Sequence, residues 1–80
     1  MTRKDVQNQL QDIFRNLFDD DNIVISNETT AADIEDWDSL EHINLINMIE
    51  RHFNIKLEMK EVVNFKNVGD MIECIAAKTS

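Results

Sequence analysis

The chain predicts a small all-α fold, a four-helix bundle of three main helices and one short third helix, with a long loop between helices 1 and 2. Three observations predict it. The chain has 80 residues, 42% of them apolar, with no proline and a single glycine. Its apolar residues recur at intervals of three and four rather than two, and good helix caps stand where the repeats begin. A chain of this length makes one domain, residues 1–80, with a simple core, because a domain so small buries only about 60% of the surface its unfolded chain exposes.

The first helix runs from Thr2 to about Phe18, where Val6, Leu10, Ile13, Phe14 and Leu17 form one apolar stripe. Thr2, or Met1 through its amine, starts it. Asp19, Asp20 and Asp21 then oppose the helix dipole and stop it. Residues 19–38 form the long connection. Its run Ile23-Val24-Ile25 has no strand partner elsewhere, so it reads as a loop pinned to the bundle by one or two side chains. Thr30 to Asp33 suits a short helical turn. A loop of this length in so small a domain is usually functional.

The second helix spans Ser39 to about Phe53, with His42, Leu45, Ile46, Ile49 and Phe53 toward the core. Leu40, Ile43 and Met48 fall off that arc, more apolar surface than one buried face requires. Asn54 suits the left-handed residue that closes a helix. Ile55, Leu57 and Met59 alternate with Lys56 and Glu58, an extended connector with side chains turned inward. Glu61 to Asn64 is the short third helix. Asn67 caps the last helix, with Asp70 three residues on, and Val68, Met71, Ile72, Ile75 and Cys74 on its inner side to near Lys78.

Charge narrows the function. A formal net charge of −8 argues against nucleic acid and anionic membranes, which demand a basic face, and favours basic protein partners. Nine acids lie between Asp19 and Glu41, with no Lys or Arg among them. The one cysteine, Cys74, excludes an internal disulfide and a cysteine-based zinc site. The N-terminus lacks an apolar run for a signal peptide or a membrane span. A monomeric cytoplasmic protein is expected.

The stretch Asp36-Trp37-Asp38-Ser39-Leu40 carries the chemistry. Asp38 is a good N-cap and Glu41 follows it by three, so the two are set for a reciprocal capping box. Ser39 is then the first helical residue, its hydroxyl free of capping duty. An anionic group on it would lie in the favourable field of the helix N-terminus. Trp37 reads as a core plug anchoring the loop. A Ser39–His42 hydrolase lacks an oxyanion loop. His42 and His52 have no partners at metal-ligand spacing, and Asp19-Asp20-Asp21-Asn22 lacks the glycine and closing glutamate of a calcium loop, so no metal site is expected.

Asp38-Ser39-Leu40, followed by Ile43, Leu45, Ile46, Ile49, Phe53 and Ile55 and then by Val68-Gly69-Asp70, resembles the attachment region of acyl and peptidyl carrier proteins. The resemblance implies that Ser39, flanked by Asp38 and Leu40, carries 4'-phosphopantetheine taken from coenzyme A. The chain is then not an enzyme. It is a substrate of a phosphopantetheinyl transferase and of acyl-loading, condensing or transfer enzymes, which meet Glu35, Asp36, Asp38, Leu40, Glu41, Ile43 and Asn47. Against the fatty acid carriers it resembles, the second helix is short of acids, with Asn44 and Asn47 neutral and Arg51-His52 beyond; a dedicated pathway is expected. Val62 and Met71 stand where that family often has small residues facing a cavity, which implies short or polar cargo. The alternatives are a peptidyl or aminoacyl carrier, and an unmodified acidic helical interaction module.

Overall fold

The computed structural model describes residues 1–79. Four helices follow one another: α1 Arg3–Leu17, α2 Ser39–Phe53, α3 Met59–Val62 and α4 Val68–Lys78, with a 3-10 turn Ala31–Asp33 in the long connection. The described residues contain no strand. Helix α1 packs against both α2 and α4. Val6, Leu10 and Phe14 of α1 are fully buried, as are Leu45 and Ile49 of α2 and Val68 and Ile75 of α4. Spacings of three and four put these side chains on one stripe of each helix, and the stripes meet in a single core.

Each main helix starts at the cap expected of it. Thr2 and Asp5 form a reciprocal box on α1, the Asp5 N–H donating to Thr2 Oγ1 at 3.1 Å. The Asp70 N–H donates to Asn67 Oδ1 on α4 at 2.9 Å. Asn54 closes α2 in the left-handed conformation, φ 54° and ψ 51°, which costs asparagine less than most residues.

The long connection is bound to α1 by side chains of that helix, which pair backbone groups its own segment leaves open. Ile25 is 1% exposed and Val24 74%, so Ile25 is the pin. Its N–H donates to Gln11 Oε1 and its carbonyl accepts from Gln7 Nε2, both at 3.1 Å. Arg15 Nε donates to the Ile23 carbonyl at 2.8 Å. Farther on, the Val68 N–H donates to the Thr29 carbonyl at 2.8 Å and the Gly69 N–H to that of Asn27 at 3.0 Å. The loop thus occupies amides that the first turn of α4 leaves free.

Several expectations need correction. The third helix begins at Met59, two residues early, because the Glu58 N–H finds the Glu61 carboxylate at 3.0 Å and the box starts the turn there. Met59, expected inward, is 76% exposed as the first residue of that turn. Met48, expected outside the core arc, is half-buried against the core. His42, expected to face the core, is half-buried and holds a hydrogen bond to Trp37 instead.

Candidate functional site: the start of α2

Backbone turns deliver the chain to Ser39. The Trp37 N–H donates to the Ile34 carbonyl and the Asp38 N–H to that of Asp36, each at 3.1 Å. Trp37 is 8% exposed, edge-on to Phe14 with ring centroids 5.2 Å apart. It is the plug expected from the sequence, and it ties the approach to α1. Asp38 then caps α2: its Oδ1 accepts the Glu41 N–H and its carbonyl the His42 N–H, each at 2.9 Å.

The reciprocal half of that capping box is not made. The Asp38 N–H is already spent on Asp36, and Glu41 Oε1 accepts from Asn44 Nδ2 at 2.9 Å. Ser39 is the first residue of α2 and exposed. Its Oγ makes no hydrogen bond among the described residues, so the hydroxyl is free for an incoming group.

Around it, Leu40 is 66% and Ile43 59% exposed. Glu35, Asp36, Asp38 and Asn47 are exposed and Glu41 is half-buried. The rim of the site is therefore acidic with an apolar patch inside it. A groove of about 670 Å³ is lined by Ser39 itself, by Trp37, His42 and Ile43, and by Val62, Val63, Phe65, Lys66, Asn67 and Met71. Val63, Phe65 and Lys66 were missed from sequence. Their signal was an apolar surplus, Val62-Val63-Asn64-Phe65, with no helical period.

A second groove, about 800 Å³, lies between α3 and α4. Here Glu61 joins the two helices, accepting from Cys74 Sγ at 3.2 Å and pairing with Lys78 Nζ at 3.1 Å. Backbone and side-chain hydrogen bonds, from Glu58, Cys74 and Lys78, pull the Glu61 carboxyl down to about 2. Burial first, and Glu61 second, push the Cys74 thiol up to about 11. That thiol is protonated and unreactive at neutral pH. No cluster of His, Cys, Asp and Glu among the described residues could hold a metal ion, and no described helix is long and apolar enough to cross a membrane.

The start of α2 thus presents a free serine at a capped helix end, beside a groove and inside an acidic rim. The family model described as "Phosphopantetheine attachment site" matches residues 8–75. Comparison with curated proteins gives no match. The solution NMR structure of holo acyl carrier protein from Geobacter metallireducens is 46% identical, over 91% of this chain and 84% of that one, with a TM-score of 0.87. The chain belongs to the phosphopantetheine-binding acyl carrier protein family. Its role is that of a non-catalytic carrier.

Proposed function

We propose that Ser39 is the residue that bears 4'-phosphopantetheine. One observation carries the reading: Ser39 is exposed at the first position of α2, and its Oγ is unpartnered because Asp38 does the capping. A transferase base takes the hydroxyl proton, Oγ attacks phosphorus, and the anhydride bond of coenzyme A breaks with loss of the adenosine-bearing phosphate. When bound, the group supplies a thiol that holds acyl cargo as a thioester. The protein's own contribution is positional. Asp38 fixes the helix start, and the helix N-terminus offers a favourable field to the phosphate.

The apolar patch of Leu40 and Ile43, ringed by Glu35, Asp36, Asp38, Glu41 and Asn47, is the surface for the transferase and for acyl-loading, condensing or transfer enzymes. Basic partner surfaces are steered by the acidic rim and held by the apolar centre. Asn44 is neutral and hydrogen-bonded to Glu41, which supports a dedicated set of partners rather than those of housekeeping fatty acid synthesis. Met71 is 1% exposed and shares the Ser39 groove with half-buried Val62. Both narrow the way inward, and short or polar cargo on an exposed arm is the preference they support.

The test is intact mass after incubation with coenzyme A and a phosphopantetheinyl transferase, followed by fragmentation. The adduct should map to Ser39 and vanish in Ser39→Ala. An adduct elsewhere, or none with several transferases, removes the reading.

A further inference from the structure

Trp37 lies two residues before Ser39 and His42 three after it, and the two side chains meet. The indole N–H of Trp37 donates to His42 Nδ1 at 3.1 Å, and the rings stack with centroids 5.8 Å apart and planes 23° from parallel. An indole nitrogen only donates. Nδ1 is therefore the acceptor, and the proton of the neutral imidazole resides on Nε2. Trp37 is itself held edge-on by Phe14, so both the tautomer and the ring plane of His42 are set from the core. Burial lowers the pKa of the ring below its ordinary value, which keeps it neutral at pH 7.

The Nε2–H has no hydrogen-bond partner among the described residues. His42 lines the same groove as Ser39, and residues three apart on a helix share a face, with about 5–6 Å between their Cβ atoms. A phosphate on Ser39 Oγ would stand on the same face of α2 as that ring, in the groove both residues line. Bonds from a neutral donor to an ionised acceptor are shorter and stronger than neutral ones.

We infer that His42 is a positioning residue for the group carried on Ser39: its Nε2–H donates to a phosphodiester oxygen, and Trp37 fixes the tautomer that makes this donor available. The inference rests on Ser39 being the attachment residue. It gives the arm a preferred departure along the groove toward Val62 and Phe65, where a serine-linked phosphate without such a donor would swing freely. Acid changes the brace and not the donor: protonation at Nδ1 expels the Trp37 hydrogen bond, while Nε2–H stays and now carries charge toward the phosphodiester. The Asp38 carboxylate at the cap and the Lys66 ammonium are the other charged groups lining the same groove.

The experiment uses the full chain, unmodified and modified, with 15N-labelled histidine. Ring 15N shifts should report the Nε2–H tautomer in both forms, and the Nε2 proton should sharpen and move downfield on modification. The 31P resonance of the modified protein should show one inflection with pH at the His42 midpoint, since a phosphodiester has none of its own near neutrality. In His42→Phe, which keeps a ring and loses the donor, the inflection should vanish and the 31P shift should move. In His42→Gln, which keeps a donor, the shift should stay near that of the wild type without titrating.

A Nε2 signal unchanged by modification, or a 31P shift identical in wild type and His42→Phe, overturns the inference while the carrier reading stands. Absence of any mass gain overturns both. The ring 15N measurement needs only the wild type and His52→Asn, which assigns the two histidines, so a poorly folded His42→Phe does not prevent a decision.

Discussion

The backbone of Ile25 is paired by the side chain of Gln11, whose Oε1 accepts the Ile25 N–H at 3.1 Å. With Gln7 on the Ile25 carbonyl and Arg15 on that of Ile23, three side chains of α1 spaced by four take the place of a neighbouring strand. That spacing puts them on one face, beside the stripe of Val6, Leu10 and Phe14. The long connection is therefore held by polar groups as well as by its one buried isoleucine.

Replacing Gln11 with alanine leaves the half-buried Ile25 N–H unpaired, which costs about 1–3 kcal/mol. Chemical denaturation should show that loss for Gln11→Ala. Asn8→Ala, on the exposed side of α1, should change stability by only about 0.5 kcal/mol or less. Equal effects would mean that the loop is held by Ile25 alone.

Gly69 is required by contact rather than by conformation, since no glycine in the chain has positive φ. A Cβ there would lie 2.8 Å from the Asn27 carbonyl oxygen, a backbone atom fixed by its own bond to the Gly69 N–H. Within a helix, alanine ordinarily gains up to about 1 kcal/mol over glycine. Here the clash opposes that gain, and overpacking of about 1–3 kcal/mol outweighs it. Gly69→Ala should melt below the wild type, with amide exchange fastest at residues 27–29.

Glu61 makes the α3–α4 contact sensitive to acid. Its folded pKa of about 2 lies below the ordinary 4.5, so its contribution is complete above the ordinary value and is lost as pH falls from there through the folded one. The difference in stability between wild type and Glu61→Gln should narrow over that window. The same substitution removes one of the influences that raise the Cys74 thiol, so alkylation of Cys74 at mildly alkaline pH should quicken in Glu61→Gln. An unchanged alkylation rate would show that burial alone protects the thiol.

Leu40 is two-thirds exposed, and its removal should leave circular dichroism and melting close to wild type while slowing transfer of phosphopantetheine. Unfolding of Leu40→Ala would assign the residue to the core instead.

Attachment of a long saturated acyl chain to the modified protein should raise the melting temperature little, because Met71 and Val62 already occupy the inner wall of the groove. Displacing packed side chains to admit an alkyl chain costs about 1–3 kcal/mol, although methionine moves aside more readily than most. A clear rise on acylation would show a buried chain and remove the small-cargo reading.

The three main helices, their caps at Thr2, Asp38 and Asn67, the plug at Trp37 and the exposed Ser39, Leu40 and Ile43 were all legible in the chain. Each depends on neighbours three or four residues away, and periodicity and capping are local. The start of α3 was misplaced by two residues because a one-turn helix has no period to read, and the Glu58–Glu61 box decided it. Glu41 failed to complete the Asp38 box because a turn through Asp36 had already taken the amide. Only the tertiary structure set Trp37 against Phe14 and thereby turned His42 from the core toward the groove. It also set Asn27 against Gly69 and joined α3 to α4 through Glu61, Cys74 and Lys78. The Asn27–Gly69 pair shows the physical reason: residues 42 positions apart have no periodic signal linking them, and only the packing of the loop on α4 brings them within reach.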